Sequence, residues 1–481
     1  MSAMHDEVAY LSATEIAAAY RDRTLSPVEV IDAVLDRIDA VNPVVNAYLT
    51  VTAASAREGA LAAERAFAAA DPGALPPLFG VPVSVKDLEE TAGVRTTYGS
   101  VSFRDHVPDT DAPIWARLKG VGAILIGKTA TPEFGNGVTT ESELSGITRN
   151  PWDLDRSAGG SSGGAASALA AGLGPIATGS DGGGSIRVPA SYCGVVGLKP
   201  SAGRIPFNDQ RQAWEAVTTT GPMARTVSDV AMVLSATHGP DPWDPYALLE
   251  SGIDFTEGLD RASLSGLRIA YSPDLGRGPI ATETARVVRN LIDRIDRDNG
   301  GTVKEVDIQL PDPVDYFWSY WSPIIALEIV DDLLDGRIDD AARAKYEVIP
   351  RAERASSLDY AKTFLTARTQ IHHAFARIFL DHDVLMWPTT SAPAYLHPGV
   401  HGYPTEIDGR PVADPLIENQ ILTEAIAHAG YPAISIPAGF TADGLPVGLQ
   451  IAAGHGKDAL VLKAAAAVEA AYPWAQHRPM I

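Results

Sequence analysis

Residues 180 to 189 read Ser180-Asp181-Gly182-Gly183-Gly184-Ser185-Ile186-Arg187-Val188-Pro189, directly after the β-branched run Ile176 to Thr178. That run predicts a strand, and the residues after Ser185 can begin a helix. Three successive glycines leave three backbone N–H groups without side-chain cover, and the dipole of a following helix favours negative charge nearby. This pattern predicts a nucleophile, Ser185, beside an oxyanion hole. A plain glycine-rich turn would need neither this serine nor the flanking Asp181 and Arg187.

A second serine framed by glycine, Ser161, lies 24 residues earlier in Gly159-Gly160-Ser161-Ser162-Gly163-Gly164. By composition alone this stretch could be a flexible linker. The small-residue helical pattern of Ala165 to Ala171 follows it, however, and such a helix is suited to close packing. The loop is therefore predicted to open a buried helix, where unpaired N–H groups can bind an anion. Alone, the motif fits a structural loop equally well.

Lys86 ends the run Pro82-Val83-Ser84-Val85 and is therefore predicted at the end of a strand. A lone lysine is most often a solvated charge. To act as a base it must be neutral, and at a pKa of about 10.4 roughly one lysine in 2,500 is neutral at pH 7. An apolar strand beside a water-excluding loop is a setting that lowers this pKa through burial. Lys86 is thus the candidate base.

The rest of the chain alternates β-branched runs with helical patterns after a helical N-terminal segment of about 70 residues. Ser26-Pro27 predicts the start of a helix over Val28 to Val41. Such alternation is typical of an α/β fold, in which helices cover a sheet. Because strand candidates lie at both ends of the chain, one domain over residues 1–481 is favoured over three, with residues 1–70 packed on it. The strand candidates are 81–85, 123–126, 176–178, 195–198, 267–271, 384–387, 433–436 and 447–452.

Composition narrows the choice of partners. The chain has 481 residues, 46% of them hydrophobic, and a formal net charge of −22. So acidic a chain repels phosphate groups, which argues against nucleic acid and against anionic membrane surfaces as partners. The acidic N-terminus does not resemble a signal peptide, and no stretch is apolar enough to span a bilayer. The single cysteine, Cys193, forms no internal disulfide, so a cytoplasmic location is expected.

Three other chemistries are disfavoured. Gly122 to Thr129 matches a phosphate-binding loop pattern, but its four intervening residues are all apolar and predict a buried strand. The histidine spacings do not suggest a metal site, since His372 and His373 point apart on a helical pattern and Pro398 separates His397 from His401. Cys193 is interpreted as a small buried residue rather than a thiol nucleophile.

Lys86, the Gly-Gly-Ser-Ser-Gly-Gly loop and the Gly-Gly-Ser-Ile-Arg run together resemble the amidase signature family of serine hydrolases. The family's other landmarks occur in the same order over most of the chain. They are Gly127-Lys128-Thr129 with Glu133-Phe134-Gly135, Asn150-Pro151-Trp152, Cys193-Gly194-Val195-Val196-Gly197-Leu198-Lys199-Pro200 and Gly444-Leu445-Pro446-Val447-Gly448-Leu449-Gln450.

The resemblance implies a single α/β domain with a mixed sheet of about eleven strands enclosed by helices, and no metal or organic cofactor. It implies that Ser185 is the nucleophile and that Ser161, after a cis peptide bond to Gly160, relays its proton to neutral Lys86. It also implies an oxyanion hole built from the N–H groups of four residues. Those residues are Gly182, Gly183, Gly184 and Ser185. Weaker inferences assign supporting roles to Ser162, Ser180, Asp181 and Arg187.

The expected reaction is hydrolysis of small, relatively hydrophobic aryl or alkyl amides, with esters and carbamates as side substrates and water as co-substrate. The aromatic segment Phe317-Trp318-Ser319-Tyr320-Trp321 and the lid-like stretch Phe207 to Trp214 suggest an apolar pocket. Ordinary helix core is an equally good interpretation of these aromatics. The proposed pocket residues are Phe134, Trp214, Phe317, Trp318 and Trp321.

Two rival functions and one question of assembly stay open. One branch of the family is the ammonia-releasing component of a tRNA-dependent amidotransferase, but Ala216 to Pro222 departs from the motif usual in that branch, and Gly399 to Ile417 lacks its expected pattern. A noncatalytic binding protein on the same fold is disfavoured because all three catalytic positions are present. The third is a homodimer in which the helical N-terminal segment packs on a second copy of the chain.

Overall fold

The computed structural model describes residues 3–207, 213–334, 340–412 and 414–481. Its centre is one mixed sheet of eleven strands with helices packed around it, which confirms the expected α/β fold. The strand order across the sheet is β1-β3-β2-β8-β10-β9-β16-β17-β13-β11-β12. These strands are β1 Tyr48–Val51, β2 Pro82–Lys86, β3 Ile124–Thr129, β8 Ile176–Asp181, β9 Val196–Lys199, β10 Thr219–Ala224, β11 Ile269–Tyr271, β12 Val303–Glu305, β13 Val384–Pro388, β16 Ala433–Phe440 and β17 Pro446–Ala452.

Short hairpins complete the β structure of the described residues. They pair β4 Glu141–Ser142 with β5 Gly146–Ile147, β6 Arg149–Asn150 with β7 Asp153–Ser157, and β14 Glu406–Ile407 with β15 Arg410–Pro411. In the main sheet, β2 runs parallel to β3 and β8, and β11 runs parallel to β12 and β13. The other pairs of neighbouring strands are antiparallel.

The helices follow the apolar patterns of the sequence. Ser26 caps α3 as predicted: its hydroxyl accepts a hydrogen bond from Glu29 N, and the Glu29 carboxylate accepts one from Ser26 N. The helices are α1 Ala3–Ala9, α2 Ala13–Arg21, α3 Pro27–Val45, α4 Ala53–Ala69, α5 Pro113–Gly120, α6 Gly163–Ala170, α7 Arg187–Cys193, α8 Val227–Thr237, α9 Thr282–Asp298, α10 Pro313–Leu333, α11 Asp340–Lys345, α12 Val348–Arg354, α13 Ser357–Lys362, α14 Arg368–Asp381, α15 Pro398–His401, α16 Pro415–Glu418, α17 Glu424–His428 and α18 Asp458–Ala471. Short 3-10 turns span Pro72–Ala74, Val101–Phe103, Glu133–Gly135 and Leu259–Arg261, and Thr363–Ala367 is π-helical.

The N-terminal segment is not wholly helical. Strand β1 lies between α3 and α4 and pairs antiparallel with β3, so this segment also forms one edge of the main sheet. Asp229 of α8 accepts hydrogen bonds from Ala13 N (3.0 Å) and Thr14 N (2.9 Å), and thereby ties the start of α2 to the rest of the fold. The division of the chain into a single domain stays a prediction.

The sheet brings two functional segments together. Strands β2 and β8 are parallel neighbours, so their carboxyl ends meet at one edge of the sheet. Lys86 is the last residue of β2, and β8 ends at Asp181, immediately before the triple glycine. Ser162 N donates to Ser185 O (3.0 Å), which joins the loop before α6 to the loop before α7. Lys86 and both serine loops therefore lie at one edge of the sheet.

Candidate active site

Lys86 is fully buried, and its ammonium nitrogen is surrounded by hydroxyl groups. Lys86 Nζ donates to Ser161 Oγ at 2.7 Å and to Ser180 Oγ at 2.9 Å. Its backbone N–H donates to Thr178 Oγ1 (3.0 Å) on the neighbouring strand. Burial lowers the pKa of Lys86 to about 7, although the carboxylates of Glu89 and Asp181 act in the opposite direction. A substantial fraction of this lysine is therefore neutral near neutral pH.

The Ser161 loop has the conformation that the resemblance implies. The Gly160–Ser161 peptide bond is cis, and Gly159 has a positive φ of 77°. A methyl group on Gly160 would overlap the backbone of Thr139, so only glycine fits there. Thr140 Oγ1 donates to Gly159 O (2.9 Å) and so fixes the loop from the other side. The loop is closely packed, which is not a property of a linker.

The segment from Gly182 to Ser185 presents unpaired backbone N–H groups. Across the described part of the chain, none of its four N–H groups donates a hydrogen bond to a protein acceptor. Gly182, Gly183 and Ser185 line a cavity, and Ser185 is partly exposed there. Buried backbone donors without partners are uncommon in proteins, so a group of them beside a cavity indicates a place for an anionic oxygen.

Each glycine of this segment packs closely against a side chain from elsewhere in the fold. A methyl group on Gly182 would overlap the ring of Trp321, one on Gly183 the carboxamide of Gln420, and one on Gly184 the hydroxyl of Thr423. Gly184 also has φ +141°, which side chains rarely allow. Neither Gln420 nor Thr423 was predicted from the sequence. Thr423 lies 240 positions from Gly183, and no local pattern shows that segments so far apart pack together.

Asp181 and Arg187 form a fully buried pair that shapes the turn after Ser185. Arg187 donates from Nε to Asp181 Oδ2 (2.9 Å) and from Nη2 to Oδ1 (2.7 Å). The same carboxylate accepts from Ile186 N (3.1 Å) at the start of α7. Burial alone would raise the pKa of Asp181, but the Arg187 guanidinium and these hydrogen bonds hold it below its ordinary value. Two of the weaker site candidates, Asp181 and Arg187, are thus in direct contact.

Two further buried ionisable residues, Glu89 and Lys128, lie near Lys86, and the sequence did not predict a role for them. Glu89 is 5% exposed and accepts a hydrogen bond from Thr178, whose hydroxyl also receives the N–H of Lys86. Lys128 Nζ donates to the carbonyl oxygen of Glu89 and to Thr91 Oγ1. Burial raises the pKa of Glu89 to about 7 and lowers that of Lys128 to about 8. The sequence signal that could have indicated a role for Glu89 is its position three residues after Lys86.

A cavity of about 560 Å³ opens above Ser161, Ser180 and Ser185. Most of the predicted pocket aromatics line it, and they lie on α10 or in the turn before Asn136. They are Phe134, Phe317, Trp318 and Trp321. Isoleucines 324, 325 and 329 of α10 extend the same wall. The lining therefore combines the three serines with a group of apolar and aromatic side chains, and Trp321 packs directly against Gly182.

Trp214 was wrongly predicted to be a pocket residue. Its side chain is 73% exposed, packs edge-to-face against Tyr246 and does not line the cavity. The neighbouring Glu215 faces inward instead and accepts hydrogen bonds from the N–H groups of Val217 and Thr218. Of the lid-like stretch 207–214, Phe207 lines the cavity and residues 208–212 lie outside the described residues.

The described residues do not support phosphate binding, a thiolate nucleophile or a metal site. Gly127 and Lys128 lie within strand β3, so the apparent phosphate-binding pattern is a core strand. Cys193 is buried, and burial raises the pKa of its thiol well above the ordinary value, which disfavours a thiolate. Within the part of the chain that the structure describes, no group of His, Cys, Asp and Glu side chains is placed to hold a metal ion. Nor is any described helix both long and apolar enough to cross a bilayer.

The fold and this site define a member of a known hydrolase class. Residues 29–462 match the model of the Amidase family, and the chain therefore belongs to the amidase signature family. The match covers the Lys86 strand, both serine loops and the aromatic helix α10. It confirms the family expected from the sequence motifs and the amidase class of hydrolase.

Comparison with individual proteins gives the same picture in more detail. The chain is 39% identical to an acylamidase of Rhodococcus erythropolis, over 98% of this chain and 97% of that protein. It is 35% identical to a glutamyl-tRNA(Gln) amidotransferase subunit of Moorella thermoacetica, over 98% of this chain and 99% of that protein. Among solved structures, a bacterial aryl acylamidase superposes with a TM-score of 0.87 at 30% identity, covering 97% of each chain. Both acylamidases and amidotransferase subunits are thus similar over the full length.

Proposed function

We propose that this protein hydrolyses small, relatively hydrophobic aryl or alkyl amides through an acyl-enzyme on Ser185. Ser161 acts as proton relay and Lys86 as base. The observation that carries the proposal is the hydroxyl environment of Lys86. Its buried Nζ donates to Ser161 Oγ and to Ser180 Oγ, and Ser161 lines the same cavity as Ser185. A lysine with a pKa of about 7 in that position can exchange protons with a substrate through one hydroxyl.

In the first step Ser185 Oγ attacks the carbonyl carbon of the amide. The Ser185 proton passes to Ser161 Oγ, and the Ser161 proton passes to neutral Lys86 Nζ. The carbonyl π electrons move to oxygen, and the resulting oxyanion accepts hydrogen bonds from the N–H groups of residues 182–185. These donors have no competing protein acceptor among the described residues, so the binding of an oxyanion there breaks no hydrogen bond of the fold.

In the second step the carbon–nitrogen bond breaks as the oxyanion re-forms the carbonyl. Protonated Lys86 returns its proton through Ser161 to the leaving nitrogen, and the amine departs. Water then attacks the Ser185 ester and gives up a proton along the same relay. Collapse of that intermediate releases the carboxylic acid and restores Ser185. Because the relay both accepts and donates a proton in each half-reaction, its lysine works best with a pKa near the working pH.

The shape of the cavity supports an apolar substrate. Phe134, Phe317 and Trp321 line the same cavity as the serines, and its volume of about 560 Å³ is typical of small-molecule sites. Two relatives by sequence and structure are an acylamidase and an aryl acylamidase. Esters and carbamates share the electrophilic carbonyl carbon and need the same proton transfers. We therefore include them as further substrates.

The proposal is tested with a panel of aryl and alkyl amides, esters and carbamates. The Ser185→Ala variant is expected to lose at least about 10⁴-fold in kcat on every amide, because the nucleophile is removed. Ser167→Ala is the matched control. Ser167 is buried, lies on α6, does not line the cavity and donates to Arg149 O (2.8 Å). Retained hydrolysis in Ser185→Ala would refute the mechanism, and turnover restricted to small polar or dicarboxylic amides would refute the apolar pocket.

The similarity to amidotransferase subunits makes release of ammonia within a complex the second candidate function. Such a protein must hold the carboxylate of glutamine. Arg351 is the only cationic side chain among the described residues that line the cavity, and it already pairs with Glu347 at 2.9 Å. Co-purification with two other subunits would favour this function, whereas an isolated chain that hydrolyses simple amides would favour the amidase.

A noncatalytic binding protein on the same fold is distinguished by covalent labelling. A serine-directed phosphonate is expected to modify Ser185 in the folded protein, because the reaction needs the same nucleophile and oxyanion donors. Absence of label in folded protein would favour the binding protein. The cytoplasmic location and the homodimer also stay proposals; size measurement in solution tests the second.

A further inference from the structure

In the Gly182–Ser185 segment, the direction of each N–H group depends on the hydrogen bond that the carbonyl of the same peptide group accepts. In a trans peptide the C=O and the next N–H point in nearly opposite directions, so fixing the carbonyl also fixes the N–H. Gly184 O accepts from Val188 N (2.7 Å), a backbone contact of α7 that aims the N–H of Ser185. Gly183 O is held differently, because its partner is a side chain.

That side chain is Thr423, which lies at the start of α17 and is fully buried. Thr423 Oγ1 is 2.6 Å from Gly183 O and 3.1 Å from Gln420 O. A hydroxyl has one proton to donate, and the shorter distance assigns it to Gly183. The hydroxyl does not cap α17, although Thr423 occupies the position where threonine usually does so. Its hydrogen bond to the glycine loop is therefore its main polar contact.

The direction of this bond turns the Gly184 N–H away from Thr423. Gly183 lines the cavity and Thr423 does not, so the Gly183 carbonyl points away from the cavity towards α17. The N–H of Gly184 points the other way and has no protein acceptor among the described residues. A methyl group on Gly184 would overlap the Thr423 hydroxyl, which shows how closely the two groups pack.

We infer that Thr423 is a positioning residue for the oxyanion hole: its hydroxyl fixes the Gly183–Gly184 peptide so that the Gly184 N–H faces the developing oxyanion. Thr423 touches no substrate. It acts on the transition state through the backbone, so its loss lowers kcat much more than it changes KM. The inference rests on the proposed acyl-enzyme at Ser185.

The test compares Thr423→Val, which keeps the shape but has no donor, with Thr423→Ser, which keeps the donor. On an aryl amide, the valine variant is expected to lose about 10- to 100-fold in kcat, somewhat less than removal of an oxyanion donor outright, with KM changed by less than about 3-fold. The serine variant is expected within about 3-fold of the parent. Thr237→Val is the matched control, because Thr237 is also buried and donates to Val233 O inside α8.

The affinity for a reversible trifluoromethyl ketone shows whether Thr423→Val misorients the oxyanion donors or only disturbs the structure. This inhibitor forms a tetrahedral adduct with an oxyanion, so the affinity of Thr423→Val for it is expected to fall by about the same factor as kcat. Binding of the amine product is expected to stay unchanged. If the valine variant does not fold, Thr423→Ala, which also lacks the donor, replaces it in each measurement.

The outcomes separate this inference from the proposed function. An active parent that Ser185→Ala inactivates, together with a valine variant of parental kcat, overturns the role of Thr423 and leaves the proposed function intact. An unchanged affinity for the ketone, or a loss that Thr423→Ser fails to restore, also overturns that role. A parent that hydrolyses no amide of the panel, or a fully active Ser185→Ala variant, overturns the proposed function and the role of Thr423 together.

Discussion

At the scale of single residues, the environment of Lys86 decides what its site can do. Burial disfavours the charged form, and the hydroxyls of Ser161 and Ser180 bind its Nζ without adding a negative charge. Glu89 and Asp181 partly restore the charged form by Coulomb attraction. Arg187 already balances Asp181, so Glu89 is the carboxylate whose removal most directly changes the lysine.

This balance predicts the pH dependence of hydrolysis. Activity needs neutral Lys86, whose pKa is about 7, so kcat/KM is expected to rise about tenfold per pH unit below that value and to level off above about pH 8. In Glu89→Gln the negative charge that raises the lysine pKa is lost. The rise is therefore expected to move to lower pH. Initial rates on a neutral amide, whose own charge does not change, measure both profiles.

Glu89 and Lys128 also titrate in this range, so the measured value belongs to the group as a whole. The direction of the Glu89→Gln shift distinguishes the contributions. A move to higher pH would mean that Glu89 itself must be ionised for activity, and a flat parental profile from about pH 6 to 8 would contradict the role of Lys86 as base.

The sequence predicts those site residues that lie in short local motifs, but not those that reach the site through long-range packing. Lys86, Ser161 and Ser185 lie in short local motifs, and the structure brings the first two into contact. Thr423 and Gln420 meet the glycine loop only because β8 and the segment before α17 converge in the fold. Long-range packing of this kind leaves no local pattern. Trp214 is an error of the opposite kind: its position in an aromatic segment predicted a pocket residue, but its side chain faces solvent.

At the scale of secondary structure, the strands that were predicted are those with a continuous apolar or β-branched sequence. Eight of the eleven strands of the main sheet match runs of apolar or β-branched residues. The three that were missed are β1, β10 and β12. Strands β1 and β12 are short edge strands, and β10 contains Gly221 and Pro222, which usually indicate a turn. Strand β10 forms because β8 and β9 flank it on both sides, so its sheet neighbours override its own composition.

The attachment of α2 gives a prediction at this scale. Asp229 accepts from the N–H groups of Ala13 and Thr14 and from the Thr14 hydroxyl (2.8 Å), while Ser12 caps the same helix from within. Asp229→Ala leaves two N–H groups without acceptors, at least one of them buried. It is expected to cost about 2 to 4 kcal/mol in the free energy of unfolding, measured by urea denaturation.

Ser12→Ala is the control for this prediction, because it removes the local cap and keeps the contact with α8. It is expected to cost about 1 kcal/mol. Amide hydrogen exchange then locates the effect: faster exchange in Asp229→Ala confined to residues 3–21 means that the N-terminal helices detach alone. Faster exchange throughout the chain means that they fold with the sheet. Equal stability of the two variants would show that the α8 contact contributes nothing beyond a helix cap.

At the scale of the whole molecule, the negative net charge affects which ligands accumulate at the site. The chain carries a formal net charge of −22, and the described lining of the cavity is acidic as well. Arg351 is paired with Glu347 and gives little compensation. Such a field raises the local concentration of cations and lowers that of anions, and salt screens it over about 10 Å at 0.1 M. The acidic lining residues are Glu89, Glu133, Glu215, Glu328 and Glu347.

This acidity predicts a substrate preference that isosteric anilides can measure. Acetanilides with a para trimethylammonium or a para carboxylate group have similar bulk and opposite charge. The kcat/KM ratio of cation to anion is expected to be about 10 at low salt, to fall severalfold at about 0.5 M NaCl, and to leave an uncharged anilide unaffected. Glu347→Gln is expected to lower this ratio because it frees Arg351. The exposed Glu305→Gln has the same change in net charge and is expected to leave the ratio unchanged.

Equal turnover of the two anilides at low salt would show that the cavity field does not act on the reacting substrate. Faster turnover of the carboxylate would favour an amino-acid amide such as glutamine as substrate.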